Sequence, residues 1–487
     1  MENKQQPEQE YNRVLLVASI IAGAFVVILN QTLLNTAIPK IMADMSISAS
    51  TAQWLTTGFM LTMGTMIPIS AFLIEKFSTR KLFLTAMGLF GAGTLIAAVA
   101  PSFPFLLAAR IVQASGAGIM IPLMQTVFLL IFPVEKRGAA MGMVGLVIAF
   151  APAIGPTLSG WIVESYSWRV LFYMILPIVV LDIIFAIFAL KNVTKLTHPK
   201  IDIVSIVLSS VGFGGLLYGF SSAGNNSWSS SEVVIALVVG AISLCLFIWR
   251  QLLIKKPILE FRVFKNWIFA LTTLIGMIIM ISMLGVELLL PLYMQNAQGY
   301  TALESGLLLL PGAIVMGVMS PIVGKVFDKI GARPLAIVGL SVVTVMTFLF
   351  SNMTASTSYG YMMVLYAIRM FGISLVMMTV MTAGLNQLPN HLIPHGTAMN
   401  NTMRQVAASI GTAMLITVMT NNTADAVKQQ VSHPMIQGMS ASFMVAAGLA
   451  FVALLLSFFI KPKRPAEADG EKTPNTVNTK REAVSES

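Results

Sequence analysis

The chain has little charge, one cysteine and few histidines, and each shortage excludes something. Charged residues make up 10% of its 487 positions, against roughly 25% in soluble domains. That supply cannot cover a globule with polar surface. It excludes a soluble enzyme, a disordered chain and a nucleic-acid-binding domain. The single cysteine, Cys245, excludes an intrachain disulfide framework. It sits in an apolar run and is expected as a buried free thiol. Four histidines (His198, His391, His395 and His433) fall in expected loops without metal-ligand company, so solvated positions and no metal or cofactor are expected. No G-x4-GK[ST] loop is present, so nothing points to ATP-driven pumping. No nucleophile constellation points to an enzyme.

What is there is apolar. Hydrophobic residues reach 56%, and Met alone occurs 33 times. A bilayer core about 30 Å thick needs roughly 20 apolar residues per helix. Fourteen runs meet that length, which predicts an all-α membrane protein. The first run ends in Asn30, Gln31 and Asn35, too polar for a signal-peptide core. The net charge of +10 suits loops facing an anionic leaflet better than nucleic acid. With the N-terminus placed inside, most Lys and Arg fall on inside segments, while Lys40, Arg169 and Lys428 are outside. That asymmetry predicts a multi-pass cell-membrane protein with both termini cytoplasmic.

The same features recur in both halves. Ala71-Phe-Leu-Ile-Glu75-Lys76-Phe-Ser-Thr-Arg80 matches Gly324-Lys-Val-Phe-Asp328-Lys329-Ile-Gly-Ala-Arg333. Next comes a lone arginine deep in a span, Arg110 and then Arg369. Gly138-Ala-Ala-Met matches Gly396-Thr-Ala-Met. Such order indicates duplicated six-helix halves, a transporter signature with the substrate site where the halves meet. The expected organisation is a cytoplasmic N-terminus 1–13, a six-helix bundle 14–191 and an inserted helix pair 202–251. A basic amphipathic interfacial segment 252–266, a second bundle 267–460 and a disordered cytoplasmic tail 461–487 follow. Asn225-Asn226-Ser227 is a weak glycosylation match on an outside loop.

With these motifs the chain resembles the major facilitator superfamily, and within it the fourteen-span drug:proton antiporters of the lincomycin-resistance type. The resemblance rests on Leu29-Asn30-Gln31-Thr32-Leu33-Leu34-Asn35-Thr36-Ala37-Ile38-Pro39 and the loop with Glu75 and Arg80. It rests also on Arg110-Ile-Val-Gln113-Ala-Ser-Gly116-Ala-Gly118, and on Gly142, Ala151, Gly155-Pro156 and Ser159-Gly160. Asn30 stands where the family usually has Asp, so this position cannot carry a proton. The resemblance implies two six-helix halves plus two inserted helices. It implies proton-coupled efflux of amphipathic or cationic drugs, antibiotics among them, by a monomer. An exporter of one endogenous metabolite, lipid or signalling molecule is the alternative. A membrane enzyme or lipid scramblase is the rival from another class.

An ionisable side chain deep in a span costs about 2.5–3.5 kcal/mol on insertion scales. It should face a cavity or a partner. Glu287 and Asp182 are the candidate proton carriers, Glu287 first because the resemblance places its span along the cavity; the resemblance also implies that Arg110 organises the exchange, and a permanent ion pair is the bland reading of either acid. Asn30, Gln31, Gln113, Gln125, Phe150, Met377, Asn400 and Arg404 are candidate cavity residues, with interhelical packing as the alternative. Met378 and Met381 join Met377 as soft walls. Glu75, Arg80, Asp328 and Arg333 are candidate gate residues, the acids pairing with basic groups or a helix N-terminus. Gly155, Ser159 and Gly160 should allow close helix approach, and Pro156 a bend.

Overall fold

The computed structural model describes residues 12–194, 196–197, 201–223 and 228–460. The terminal segments, Lys195, His198, Lys200 and the Asn225–Ser227 match lie outside the described residues. Among the described residues fourteen long helices follow one another. The first six are α1 (Arg13–Met45), α2 (Ala49–Lys76), α3 (Thr79–Ala98), α4 (Phe103–Ile131), α5 (Arg137–Ser165) and α6 (Arg169–Ala189). Then come α7 (Ile203–Ala223) and α8 (Ser231–Leu253). The last six are α9 (Trp267–Leu292), α10 (Ala302–Ile330), α11 (Ala332–Ser351), α12 (Tyr359–Leu385), α13 (Ile393–Lys428) and α14 (Pro434–Ser457).

Thirteen of these are long and apolar enough to cross a membrane. The exception is α13. It has 36 residues, ample length, but Asn400, Asn401, Arg404 and Gln405 dilute its apolar character. A helix this polar has to keep its polar face away from hydrocarbon.

Local rules set the helix ends. Asn12 accepts hydrogen bonds from the Val14 and Leu15 amides, and Asn266 does the same for Ile268 and Phe269. Thr301 and Glu304 close a capping box at α10. Gly331 takes the turn between α10 and α11 at φ 81°, where a side chain would be strained. The start of α5 has no cap of its own, and its free amides are answered from elsewhere in the molecule.

The helices pack as two groups, α1–α6 and α9–α14, joined chiefly by α5 on α10 and α2 on α13. The pair α7–α8 packs on itself, with α7 against α2 and α13. Along α8 most of the surface is uncovered, Trp249 and Leu253 included. Cys245 is exposed there, against the expectation of burial. An apolar run in a membrane protein faces lipid as readily as protein. The segment after α8 folds onto protein, with Ile258, Leu259 and Val263 buried. The Gln251 side chain accepts from the amides of Ile258 and Leu259.

Candidate functional site

Two buried arginines occupy matching places in the two groups. In the first, α4 carries Arg110, 1% exposed. Its Nη1 donates to Asn30 Oδ1 on α1 at 2.8 Å and to Gln113 Oε1 at 2.9 Å. Its Nε donates to the Leu55 carbonyl, and its guanidinium lies 4.1 Å from the centre of the Phe59 ring. Gln113 in turn donates to Thr94. Arg110 and Gln113 share a face because they are three residues apart on one helix. The cation is thus held by neutral acceptors and a ring face.

In the second group, α12 carries Arg369, 0% exposed. Its Nε donates to Thr347 on α11, and its Nη2 donates to the hydroxyl and carbonyl of Ser282 on α9. Its Nη1 has no partner among the described residues. Glu287, also on α9, lies within electrostatic reach of Arg369 and of Tyr366. The Glu287 carboxylate makes no hydrogen bond or ion pair among the described residues and keeps part of its surface uncovered. A carboxylate and a guanidinium with one open nitrogen therefore lie within electrostatic reach of each other without being locked together.

A third polar stretch runs along α13, opposite α4. Asn401 Nδ2 donates to Gln125 Oε1 on α4 at 2.6 Å and to the Thr397 carbonyl at 2.9 Å. Asn400 donates to Thr273 on α9. Arg404, 7% exposed, has among the described residues only the sulfurs of Met381 and Met280 within reach, each at 3.9 Å.

The groups are fastened at one end, here called the latch end, where α2, α10 and α12 finish and α5 and α13 begin. Asp328, at the end of α10, accepts from the amides of Gly138 and Ala139 at 2.7 and 2.8 Å. It is the cap that α5 lacks, supplied by the opposite group. Arg137 forks to Asn386 and Asn390, each at 3.1 Å. Gly138 and Gly324 touch through their backbones, and a Cβ on either would collide with the other helix.

Glu75, at the end of α2, meets His395 in the first turn of α13, with Oε1 2.9 Å from Nε2. His395 Nδ1 accepts from the Glu260 amide, which places the ring proton on Nε2, donating to Glu75. His395 is 5% exposed. The expectation of a solvated loop histidine is therefore wrong: α13 begins two residues earlier, and the ring is buried between three segments. A signal was present. The match of Gly396 with Gly138 sets His395 opposite Arg137, another latch residue.

The remaining candidates scatter. Asp182 on α6 is 5% exposed, and its Oδ1 accepts from Ser19 on α1 at 3.3 Å. Its Oδ2 is unpartnered and stands beside Gly23 of α1, near Phe83 and Met87 of α3. This places Asp182 inside the first group, away from the second. Phe150 packs on Gly317 of α10, and Gly155 on Thr32 of α1. Gly160 has no neighbour for a Cβ to meet, so it does not serve the close approach expected of it. Pro156 lies within α5 and is exposed. Met377 is buried, Gln31 half-buried, Arg80 exposed and Arg333 half-buried.

The comparisons agree with this architecture. The family model described as Major Facilitator Superfamily matches residues 20–412. An uncharacterised MFS-type transporter of Bacillus subtilis, YcnB, is 59% identical over 96% of this chain and 99% of its own length. The lincomycin resistance protein LmrB of Bacillus subtilis is 44% identical over 95% of this chain and 98% of its own. The crystal structure of the human organic anion transporter MFSD10 superposes with a TM-score of 0.65 at 12% identity, covering 92% of this chain and 100% of that one. That likeness speaks for the fold alone. Two helical groups joined across α5–α10 and α2–α13, matched over most of their length by named transporters, make this chain a multi-pass membrane transporter of the major facilitator superfamily and not an enzyme.

Proposed function

We propose that the protein is a proton-driven exporter of amphipathic or cationic drugs, antibiotics among them, working by alternating access in the cell membrane. It crosses fourteen times, α13 included, with both termini and the latch end on the cytoplasmic side, and acts as a monomer. Its two bundles, residues 14–191 and 267–460, rock about a central site, and the pair 202–251 stands beside them. The structure then corresponds to the state closed to the cytoplasm, because Asp328, Arg137, Glu75 and His395 tie the bundles at that end.

The observation that carries the proton reading is Glu287. An acid inside a membrane helix, near Arg369 but bonded to nothing among the described residues, is poised to gain and lose a proton. When neutral, it leaves Arg369 Nη1 open; when charged, it can turn to that nitrogen. Arg110 holds the matching place in the first bundle without an acid, since Asn30 cannot titrate. Asp182 is a second carrier at most within its own bundle. The names of two relatives, a lincomycin resistance protein and a multidrug transporter protein, support efflux. An exporter of one endogenous metabolite, lipid or signalling molecule is the alternative within the same mechanism.

The test is efflux of ethidium from loaded proteoliposomes with and without a pH gradient. The wild type should respond to the gradient. Glu287→Gln should remain in the membrane and run at the ungraded rate. An unchanged response would remove Glu287 from the scheme.

A further inference from the structure

Arg404 differs from the other two membrane arginines. Arg110 has two side-chain amides, a carbonyl and a ring; Arg369 has two hydroxyls, a carbonyl and an acid within reach. Arg404 has two thioethers. Thioether sulfur is a weak acceptor. No carboxylate acts on Arg404 among the described residues. A guanidinium this enclosed without an anion or oxygen acceptor is costly.

Its surroundings repeat the pattern. Nine buried side-chain polar atoms lack partners among the described residues, and four are Gln125 Nε2, Thr126 Oγ1, Thr397 Oγ1 and Asn400 Oδ1. All four lie on the facing stretches of α4 and α13. The Asn401 amide is oriented by the Thr397 carbonyl, which can only accept. Asn401 therefore offers Nδ2 to Gln125, Gln125 answers with Oε1, and its NH2 group is left unused. Asn401 and Arg404 are three residues apart, so Gln125 and Arg404 attend the same face of α13.

We propose that this stretch is a head-group site for cargo bearing a carboxylate, so that amphipathic acids are transported beside the amphipathic or cationic drugs that the resemblance implies. This rests on the reading of the chain as an exporter. A guanidinium fork matches a carboxylate with two parallel N–H bonds. The unused Gln125 NH2 group and the Thr397 hydroxyl, one turn from Asn401, supply further donors. Met280 and Met381 offer a soft apolar wall to the body of the ligand. The site joins both bundles, since Gln125 belongs to one and Arg404 to the other. Bound acid would thus sense their relative position. A cationic ligand would meet an uncompensated positive charge at this face.

The test uses the purified full chain and three probes of one shape: 1-naphthylacetate, its methyl ester and 1-naphthylethylamine. Thermal unfolding is followed against probe concentration for the wild type, Arg404→Gln and Arg404→Lys. The acid should raise the wild-type Tm while the ester and amine do not. Arg404→Gln should weaken acid binding by about tenfold or more, the loss of a charge-assisted hydrogen bond. Arg404→Lys keeps the charge but loses the fork, and should fall between. If Arg404→Gln does not fold, an unweakened Arg404→Lys overturns the proposal. So does absence of any acid-specific shift, or a shift that survives Arg404→Gln. Gradient-driven uptake of the same acid into proteoliposomes separates the two readings. Arg404-dependent binding without gradient-driven movement would leave the site standing and remove the exporter. Ethidium efflux without acid binding would do the reverse.

Discussion

The two bundles bury an arginine at matching positions and answer its charge differently. Around Arg110 every acceptor is neutral, so nothing in contact with it can change charge. Around Arg369 one nitrogen is open and an acid waits nearby. A duplicated scaffold has thus kept the cation in both halves while leaving a titratable partner in one. The latches repeat the contrast. Asp328 grips backbone amides of α5, whereas Glu75 grips an imidazole of α13 that is itself held by the amide of Glu260.

The strongest way to break the contrast is to exchange the arginine environments. Asn30→Asp in the Glu287→Gln background places an acid against Arg110 in place of the one lost near Arg369. We expect gradient-dependent ethidium efflux, abolished in the single Glu287→Gln variant, to return in part. No return would mean that the halves are not interchangeable. Next in size is Gly324→Val. Its side chain cannot fit against Gly138, so the latch end should open. Maleimide labelling of a cysteine placed at Ala139, with Cys245 replaced by serine, should change from protected to accessible.

Asp328→Asn should loosen the latch by about 1.5–3 kcal/mol, the worth of a hydrogen bond to a charged group. Glu75→Gln should do less, because the amide oxygen still accepts from His395. Equal effects in the labelling assay would show that the two latches are the same device.

The smallest effect is at the opposite end. Asp44 on α1 accepts from Arg169 at 2.8 Å and from Trp168 at 3.0 Å. Hydrogen bonds from Arg169 and then Trp168 hold its carboxyl below the usual 3.8. A lowered value means stability present above 3.8 and lost as the pH falls through the lower folded value. Asp44→Asn should cost at most about 1 kcal/mol, since the pair is largely exposed. The Tm difference should appear at neutral pH and vanish in strong acid. In the second bundle Tyr293 and Ser440 donate to the Thr354 and Ser351 carbonyls, which do not titrate there.

Much of this was legible in the sequence, for physical reasons. Twenty-residue apolar runs mark helices wherever they cross a bilayer, and the repeat exposed Glu75 beside Asp328 and Arg110 beside Arg369. The Arg110–Gln113 pair followed from spacing on α4, and Asn30 beside it from the family resemblance. His395 was hidden because a lone histidine beside a proline looks like loop; only its alignment with Arg137 betrayed it. Asp182 looked central because it is an acid in a span. Which neighbour encloses it, Ser19 on α1, is a matter of packing. The want of a partner at Arg404 is a fact about three helices at once, and no spacing along one chain encodes it.

The inserted helix α7 lies against α2 of one bundle and α13 of the other. Trp228, just before α8, also reaches Thr417 on α13. On the proposed rocking of the bundles, anything that touches both must let go of one or travel with both, and the extra pair would then act as a bearing that limits the swing.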